Sequence, residues 1–350
     1  MSHNQTSLIL REIGKPLTKT SLTIPKPEEH EVLVRVSATG LTPLDWKLRD
    51  VGVLGIGQRL PAVMGLEISG RVVGYGSSAA ASSGLPAIGS RIILQPKIRP
   101  HLAGGLEEYT LANPKFTIPI PPNVTEQEAA TLGINPLTAA IALFHSSGFG
   151  LPFPGTPESQ SFDYRGVKLV IIGGGTSVAK FTIQQARIAG IGTIIAIASP
   201  SSFHKVLSYG ATHTINRHSS DITTQVHSIV GDDLKYVFDT ISFGHPKQAI
   251  SFFQQKGGVV CMASSSGLRD QVELDERGIT VKGFHSGFEN VPDLFPLYST
   301  ALQRWLSDGS LNVPPFQTIP SLDADLVNKA LDDVKQGRSG VKYVVNVRQS

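Results

Sequence analysis

The chain has 350 residues, of which 40% are hydrophobic and 17% charged, a composition typical of a globular protein of about two domains. Its formal net charge of +3 is small for this length and its Lys and Arg residues are scattered, which argues against nucleic-acid binding. The single cysteine, Cys261, excludes an internal disulfide and any zinc site built on several cysteines. The N-terminal segment is polar and no apolar run approaches the roughly 20 residues of a membrane helix, so we expect a soluble, cytoplasmic protein without a membrane partner.

The first third of the chain, from about Leu8 to Ile120, has short alternating apolar runs broken by Pro and Gly. Such runs, for example Glu31–Val36 and Ile68–Gly74, predict the strands of a small β-barrel-like unit. Thr125 and Glu128 then offer a helix N-cap, followed by apolar residues at helical spacing. A second region is therefore predicted to begin here.

A glycine-rich turn organises this second region. The run Val167–Ile172, rich in β-branched residues, leads into three glycines and then into apolar residues at helical spacing, which predicts a strand, a tight turn and a helix. Glycines let the backbone approach a bound group, and free N–H groups at a helix start favour phosphate, so we expect a dinucleotide site. The fingerprint G-x-G-x-x-G fails at its last position, which leaves open a turn that only lets helix and strand pack closely. The residues predicted to contact the cofactor here are Gly173, Gly174, Gly175, Thr176, Ser177 and Val178.

Strands and helices alternate after this turn as far as the strand-like run Ile279–Phe284. Repeated β-α-β units predict a parallel sheet with helices on both faces, in which ligands bind outside the carboxyl ends of the strands. The Pro- and Ser-rich stretch between Gly148 and Gly166 is expected to be an aperiodic, mobile loop. Two further helices and a strand at Lys342–Val347 are expected to return to the first region.

The residues after the strand that ends at Ala198 bear on the choice of cofactor. A site for a free ribose hydroxyl usually has Asp or Glu there, whereas this chain has Ser199–Ser202. Hydroxyl donors with the nearby cations Lys205 and Arg217 suit a 2′-phosphate, so NADPH is favoured over NADH. Helix capping is an equally good interpretation for one of these hydroxyls, that of Ser202. Asp239, at the end of a later strand, is interpreted as a carboxylate that accepts local backbone hydrogen bonds.

Four motifs resemble, in order and spacing, those of the medium-chain dehydrogenase/reductase superfamily. They are Gly40–Lys47, Pro61–Gly70, Gly104–Tyr109 and Glu128–Leu132. Within the superfamily, the chain is similar to the zinc-free quinone oxidoreductases and enoyl reductases, especially the fungal trans-acting enoyl reductases of polyketide biosynthesis. The cysteine that zinc members carry near Leu41 and the histidine that precedes Glu67 in them are missing, so no catalytic metal is expected.

The resemblance implies an α/β protein with a GroES-like β-barrel-type catalytic domain, 1–127 with 285–350, and a Rossmann doubly wound parallel-sheet domain, 128–284. It implies an NADPH-dependent reductase that transfers hydride to an activated C=C bond of an enone or enoyl thioester. The expected partners are a small-molecule or carrier-bound substrate and a polyketide synthase of secondary metabolism. A monomer or homodimer is expected.

Candidate site residues follow from this resemblance. Lys47 is the candidate to stabilise an enolate, with a solvated loop lysine as the alternative, while Asp45 and Thr138 would shape the nicotinamide pocket. The strand-end segments Thr240–Phe243 and Ala263–Ser266 are expected to line the cofactor crevice. The further cofactor contacts assigned are Ile241, Ala263, Phe284 and Lys342.

Two other functions stay open at this point. One is a quinone or alkenal reductase of detoxification, with the same cofactor but without a carrier-protein partner. The other is a protein that binds the cofactor without turnover. The proton donor is left unassigned, because the tyrosine that mitochondrial-type enoyl reductases carry shortly after the Asp45 motif is replaced here by the run Val51–Leu54. The sequence does not name the substrate either.

Overall fold

The computed structural model describes residues 3–77, 85–96, 104–242, 246–263, 272–274, 276–337 and 342–347. The chain divides into two compact units, Met1–Ile134 with Ser299–Ser350, and Asn135–Tyr298. The assignment of 1–127 with 285–350 to catalysis and of 128–284 to the cofactor remains a proposal. In the described ranges, none of the helices has both the length and the apolar character needed to cross a bilayer.

Strands dominate the first 120 residues, and strands and α-helices alternate from residue 168 to residue 262. The strands are β1 (Asn4–Leu10), β2 (Thr18–Thr23), β3 (Val32–Leu41), β4 (Ala62–Val63), β5 (Glu67–Tyr75), β6 (Arg91–Leu94), β7 (Tyr109–Ala112), β8 (Ile118–Pro119), β9 (Lys168–Ile172), β10 (Thr193–Ala198), β11 (His213–Asn216), β12 (Tyr236–Asp239), β13 (Val259–Met262), β14 (Val272–Leu274), β15 (Thr280–Gly283), β16 (Phe316–Ile319) and β17 (Lys342–Asn346). The α-helices are α1 (Pro43–Val51), α2 (Glu126–Ala129), α3 (Asn135–Phe144), α4 (Pro157–Ser161), α5 (Ser177–Ala189), α6 (Phe203–Tyr209), α7 (Ile222–Val230), α8 (Lys247–Ser251), α9 (Phe295–Ser307) and α10 (Ala324–Lys335).

The first unit is built on a sheet that joins early and late parts of the chain. Its strand order is β16-β17-β3-β5-β6-β8, and β7 also pairs with β3. Along β3 the side chains of Val32, Val34 and Val36 are buried while the residues between them are partly exposed, as expected for a strand with one face on a core. Because β17 pairs antiparallel with β3, the late strand returns to the first region as the sequence predicts.

The second unit contains a doubly wound sheet of order β11-β10-β9-β12-β13-β15-β14. All neighbouring pairs are parallel except the edge pair, in which β14 runs antiparallel to β15. The chain enters at β9, moves outward through β10 and β11, and then crosses to β12 on the other side. The predicted α/β fold with a parallel sheet is thus confirmed, and the switch between β9 and β12 is where such sheets bind ligands.

The Pro- and Ser-rich stretch from 148 to 166 is not aperiodic throughout, because it contains the short helix α4, while its expected mobility stays a prediction. The aromatic rings of Phe149, Phe153 and Tyr164 are buried. The ring of Phe149 lies 5.0 Å from that of Tyr236, and the Tyr164 hydroxyl donates a hydrogen bond to the Pro152 carbonyl at 2.6 Å. The missed signal is the aromatic content, because each buried ring contributes a large apolar area.

Candidate active site

The first two glycines of the turn between β9 and α5 are required by packing. Gly173 has φ +80°, and a Cβ added to it would lie 2.5 Å from Oγ1 of Thr240. A Cβ on Gly174 would lie 2.9 Å from the Cβ of Ala196 on β10. The packing interpretation therefore explains these two positions without a ligand.

Gly175 is less crowded than its two neighbours. The nearest atom to a Cβ added there is Oγ of Ser202, at 3.1 Å, the end of a side chain that can rotate. Thr176 caps α5, accepting a hydrogen bond from the Ala179 N–H at 3.2 Å, and Ser177 and Val178 form the first turn of the helix. A glycine turn that leads into a helix start is the arrangement in which such sheets bind a pyrophosphate.

The end of β12 lies next to the glycine turn. Oγ1 of Thr240 donates to the Ile172 carbonyl at 2.8 Å and lies 3.0 Å from Oγ1 of Thr176, so hydroxyls join the two strand ends. One carboxylate oxygen of Asp239 accepts from the N–H groups of Ile241, at 3.0 Å, and Ser242, at 2.9 Å. The interpretation of Asp239 as a local hydrogen-bond acceptor is confirmed.

Two of the assigned cofactor contacts lie at this edge of the sheet. The side chain of Ile241 is 50% exposed, and its Cγ2 would lie 2.6 Å from a Cβ on Gly173. Ala263 follows β13 and donates its N–H to the Asp239 carbonyl at 3.0 Å. Phe243 and residues 264–266, expected in the same crevice, lie outside the described residues.

The predicted phosphate-selecting residues gather near the end of β10. Ser199 directly follows the strand, and Ser202 stands at the N-cap position of α6 but makes no capping hydrogen bond there, so the capping interpretation is wrong. The N–H of Arg217 donates to the Ala198 carbonyl at 2.9 Å, which places this residue beside the same strand end. Lys205, on α6, has its Nζ 5.3 Å from the centre of the Tyr209 ring.

Lys180 belongs to the same region and was missed by the sequence analysis. It is the fourth residue of α5 and only 9% exposed. Burial, assisted by the charge of Lys205, lowers the pKa of Lys180. The available signal was a lysine on the apolar face of a helix, between Ala179 and Phe181, where a polar residue is unusual.

Two further predicted contacts are buried in the second unit. Thr138, on α3, donates its hydroxyl to Oγ of Ser286 at 2.8 Å. Ser286 lies on the loop after β15 and was not predicted. The ring of Phe284 stacks on that of Phe238, with centres 6.5 Å apart, so its side chain is part of the core of this unit. The proposed contacts of Thr138 and Phe284 with a cofactor stay predictions.

Lys47 lies on α1 in the first unit, so the alternative of a loop lysine is wrong. Its side chain is half-buried, and Nζ lies 5.8 Å from the centre of the Trp46 ring. Nζ of Lys335 lies at the same distance, 5.8 Å, from that ring. The indole thus attracts two ammonium groups by cation–π interaction.

Asp45 holds the start of α1. Its side chain is fully buried and accepts hydrogen bonds from the N–H of Thr42 at 2.7 Å, the hydroxyl of Thr42 at 2.8 Å and the N–H of Gly65 at 3.1 Å. Burial raises the pKa of Asp45, although these hydrogen bonds and the charge of Lys342 oppose the shift. The geometry makes Asp45 a positioning residue for the helix that carries Lys47.

Lys342 is buried in the same unit. Its Nζ forms an ion pair with Oε2 of Glu67, whose Oε1 accepts a hydrogen bond from the Ile134 N–H at 2.7 Å. Burial lowers the pKa of Lys342 to about 7, against the opposing charge of Asp45. The structure therefore brings Asp45, Glu67 and Lys342 together, and a cofactor contact of Lys342 stays a prediction. Within the described parts of the chain, no three His, Cys, Asp or Glu side chains form a group that could hold a metal.

Comparison with protein families gives two matches. Residues 28–122 match the model described as alcohol dehydrogenase GroES-like domain, and residues 177–300 match the one described as zinc-binding dehydrogenase. These segments contain the α1 motif with Lys47 and nearly all of the doubly wound sheet.

Curated relatives of the chain include fungal trans-enoyl reductases. Trans-enoyl reductase tndF of Aspergillus flavipes is 31% identical over an alignment 363 residues long, which covers 99% of this chain and 99% of that one. Trans-enoyl reductase FSL5 of Gibberella zeae is 29% identical over 249 residues, and this match covers 69% of this chain but only 64% of FSL5.

Similar solved structures show the same fold. The CurK enoyl reductase has a TM-score of 0.78 and 21% identity, with 98% of this chain and 99% of that chain covered. The mycobacterial protein Rv1454c, solved in complex with NADPH, has a TM-score of 0.76 and 19% identity, with 98% and 99% covered.

Proposed function

Because this chain belongs to the medium-chain dehydrogenase/reductase superfamily, in the branch of the fungal trans-enoyl reductases, we propose that it is an NADPH-dependent enoyl reductase. The proposed substrate is an activated C=C bond in an enoyl thioester or enone. The observation that carries this proposal is the end-to-end similarity to trans-enoyl reductase tndF, which covers 99% of both chains.

Features of the second unit support the proposed use of NADPH. The glycine turn leads directly into α5, and hydroxyl and cationic side chains follow β10 where NAD-specific sites carry a carboxylate. A neighbour in fold, Rv1454c, was solved with NADPH. We also propose that the reaction needs no zinc, because Cys261 is the single cysteine and is buried in the β13 strand.

Several residues of this chain would have different roles in the proposed reaction. Bound NADPH supplies the hydride. Lys47 would stabilise the negative charge that develops on the carbonyl oxygen when the C=C bond is reduced, since a fixed cation is most effective against charge that appears in the transition state. Asp45 would hold α1 in place, and Thr138, oriented by Ser286, would present its oxygen to the carboxamide end of the cofactor.

The role of Lys47 is tested by the variant Lys47→Ala. We expect kcat/KM for an enoyl thioester to fall on the order of a hundredfold, the usual cost of removing one group that stabilises an oxyanion. Lys335→Ala is the matched control, because Lys335 makes the same 5.8 Å contact with the Trp46 ring. Undiminished kcat/KM in Lys47→Ala would remove Lys47 from the mechanism.

The class of substrate is tested by NADPH oxidation against enoyl thioesters on pantetheine and on a carrier protein, quinones and simple alkenals. Preference for carrier-bound thioesters supports the proposed function and a polyketide synthase as partner. Preference for quinones or alkenals would instead support a detoxifying reductase. Binding of NADPH with no turnover on any of them would support a cofactor-binding protein.

A further inference from the structure

The first unit contains an ion pair that is shielded from water on both sides. The side chains of Glu67, on β5, and Lys342, the first residue of β17, are 0% and 7% exposed, and Nζ of Lys342 contacts Oε2 of Glu67. Charged side chains are seldom buried to this extent unless they are paired. Because removal of one partner leaves the other charge buried without its counter-ion, the pair constrains the strands that carry it.

Lys342 reaches Glu67 across the strand that lies between them. β3 pairs with β17 and with β5, and Gly40 of β3 lies opposite both Val344 and Glu67. A Cβ added to Gly40 would lie 2.9 Å from Cε of Lys342 and 3.1 Å from Oε2 of Glu67, so the absence of a side chain here makes the crossing possible. The ion pair thus fastens three neighbouring strands at one point.

Helix α1 begins next to this point. Thr42, the N-cap residue of α1, directly follows β3. Oδ1 of Asp45 accepts a hydrogen bond at 3.1 Å from the N–H of Gly65, which lies two residues before Glu67. The strand ends that the ion pair joins are therefore the ones that hold the start of α1, the helix that carries Lys47.

The superfamily includes zinc enzymes, but the side chains in this part of the first unit do not fit a metal. The zinc members carry ligands near Leu41 and directly before Glu67, whereas Leu41 and Leu66 are apolar and only 2% and 7% exposed. The carboxylate of Glu67 is paired with the ammonium group of Lys342. A positive charge that belongs to the chain thus lies beside both positions from which a metal would be held.

We propose that Lys342 is a positioning residue that replaces a metal ion as the fixed positive charge of this site: paired with Glu67, it holds the ends of β3 and β5 together and with them the start of α1. We therefore expect the folded site to need no divalent cation. The effect of Lys342 on turnover rests on the proposed function, because it is exerted through Lys47.

The experiment compares wild type, Lys342→Met and the double variant Glu67→Gln with Lys342→Met at about pH 6, below the pKa of about 7 of Lys342. Lys342→Met should lower the unfolding midpoint by roughly 5 °C or more, because Glu67 loses its counter-ion. The double variant carries neither charge, so its midpoint should return toward that of wild type. Hydrogen exchange in α1 should nevertheless stay roughly tenfold or more faster than in wild type, because nothing ties the strand ends together.

Kinetics and a matched control accompany these measurements. For an enoyl thioester, kcat should fall in the double variant while the KM for NADPH stays unchanged, since the residues proposed for the 2′-phosphate lie in the second unit. The control is Lys168→Met, which breaks an ion pair with Asp233, a residue whose side chain is 63% exposed. An exposed pair contributes little to stability, so this variant should keep the midpoint and the exchange in α1 close to those of wild type.

Four results would overturn the proposal. They are an unchanged midpoint in Lys342→Met, wild-type exchange in α1 of the double variant, a higher KM for NADPH with unchanged kcat, and a lower midpoint of wild type after dialysis against a chelator. Should Lys342→Met fail to fold, the double variant still gives the exchange in α1. If wild type reduces no enoyl thioester, the proposed function fails, while the midpoints, the exchange and the chelator result still decide the role of Lys342.

Discussion

Glu107 is a buried carboxyl group in the first unit. It is 3% exposed, and Gln5 donates an Nε2–H to its Oε2 at 3.0 Å. Burial raises the pKa of Glu107 to about 8, against the opposing hydrogen bond from Gln5. The carboxyl group therefore keeps its proton at neutral pH in the folded protein, whereas it is ionised in the unfolded chain.

This shift predicts how stability changes with pH. Because the folded pKa lies above the unfolded value of 4.5, the folded state binds more protons between these values, and the free energy of unfolding falls as pH rises from 4.5 to about 8. The variant Glu107→Gln, which cannot ionise, should lose this slope and be more stable than wild type at pH 8, by about 1 kcal/mol or more. Urea unfolding at several pH values measures the free energy of unfolding of both proteins and its dependence on pH.

The control for this experiment is Glu12→Gln, which changes an exposed carboxylate on the loop after β1. Its pH dependence should follow that of wild type. A slope that persists unchanged in Glu107→Gln would show that Glu107 ionises normally in the folded protein.

Helix α1 is held in place at both of its ends, and these contacts fix the position of Lys47. Asp45 accepts its three hydrogen bonds at the start of the helix. Near its end, Arg49 is buried, donates to Oδ1 of Asp50 at 2.6 Å and pairs with Asp332 on α10. A helix of nine residues is too short to be stable by itself, so these contacts maintain it.

The chain offers two capping boxes for a matched comparison of helix starts. In one, Asp45 and Thr42 form the reciprocal hydrogen bonds of the box inside the protein. In the other, Glu128 and Thr125 form them at the surface. Glu128→Ala should cost about 1 kcal/mol in unfolding free energy and leave turnover unchanged. Asp45→Ala should cost about 2–3 kcal/mol, because buried N–H groups lose their partner, and should lower kcat/KM by displacing Lys47.

Thermal unfolding and steady-state NADPH oxidation, measured on both variants, make the comparison. Equal turnover in the two variants would show that Asp45 supports the fold without positioning Lys47. Retained binding of adenosine 2′,5′-bisphosphate in Asp45→Ala is expected, since the residues proposed for that phosphate lie in the second unit.

Elements with continuous apolar runs and clear glycine or proline boundaries could be predicted from the sequence. The alternation of strands and helices that the sequence predicts after the glycine turn is present from β9 to β13. Helix α1 was missed because only nine residues, many of them polar, form it; the available signal was Thr42 with Pro43 and Asp45, a capping box with proline at the first helical position.

The same distinction applies to the candidate site, in which local sequence patterns could be predicted and contacts between distant elements could not. The glycine turn and the serines after β10 are local patterns that can be read along the chain. The partner of Thr138 could not be predicted, because Ser286 comes from another element and no spacing in the sequence relates the two residues. The ring of Phe284 packs on Phe238, and its assigned contact with the cofactor stays a prediction.

The second unit is formed by one continuous segment of the chain, Asn135–Tyr298. It has its own apolar core, which includes Val170, Val237 and Val260 on neighbouring strands of the sheet. A continuous segment with a separate core is the usual condition for independent folding. The segment 135–307, which keeps α9 whole, should therefore fold by itself.

Circular dichroism during heating is expected to show a cooperative transition for this segment, and calorimetry is expected to show that it binds adenosine 2′,5′-bisphosphate. The same segment carrying Lys205→Met, which replaces an exposed lysine assigned to the 2′-phosphate, provides the control, with a similar transition and weaker binding. A segment without a cooperative transition would show that its core depends on the rest of the chain.

The pairing of β17 with β3 has a consequence for biosynthesis. Val344 lies opposite Gly40, so β17 leaves the ribosome about 300 residues later than the strand it covers. β7 pairs with residues 32–35 of β3, but residues 38–41 lack their second partner during that interval, and an unpaired strand edge can join another chain. The region translated first is thus completed last, and slow elongation through the intervening segment prolongs the exposure of nascent chains to aggregation and to chaperones.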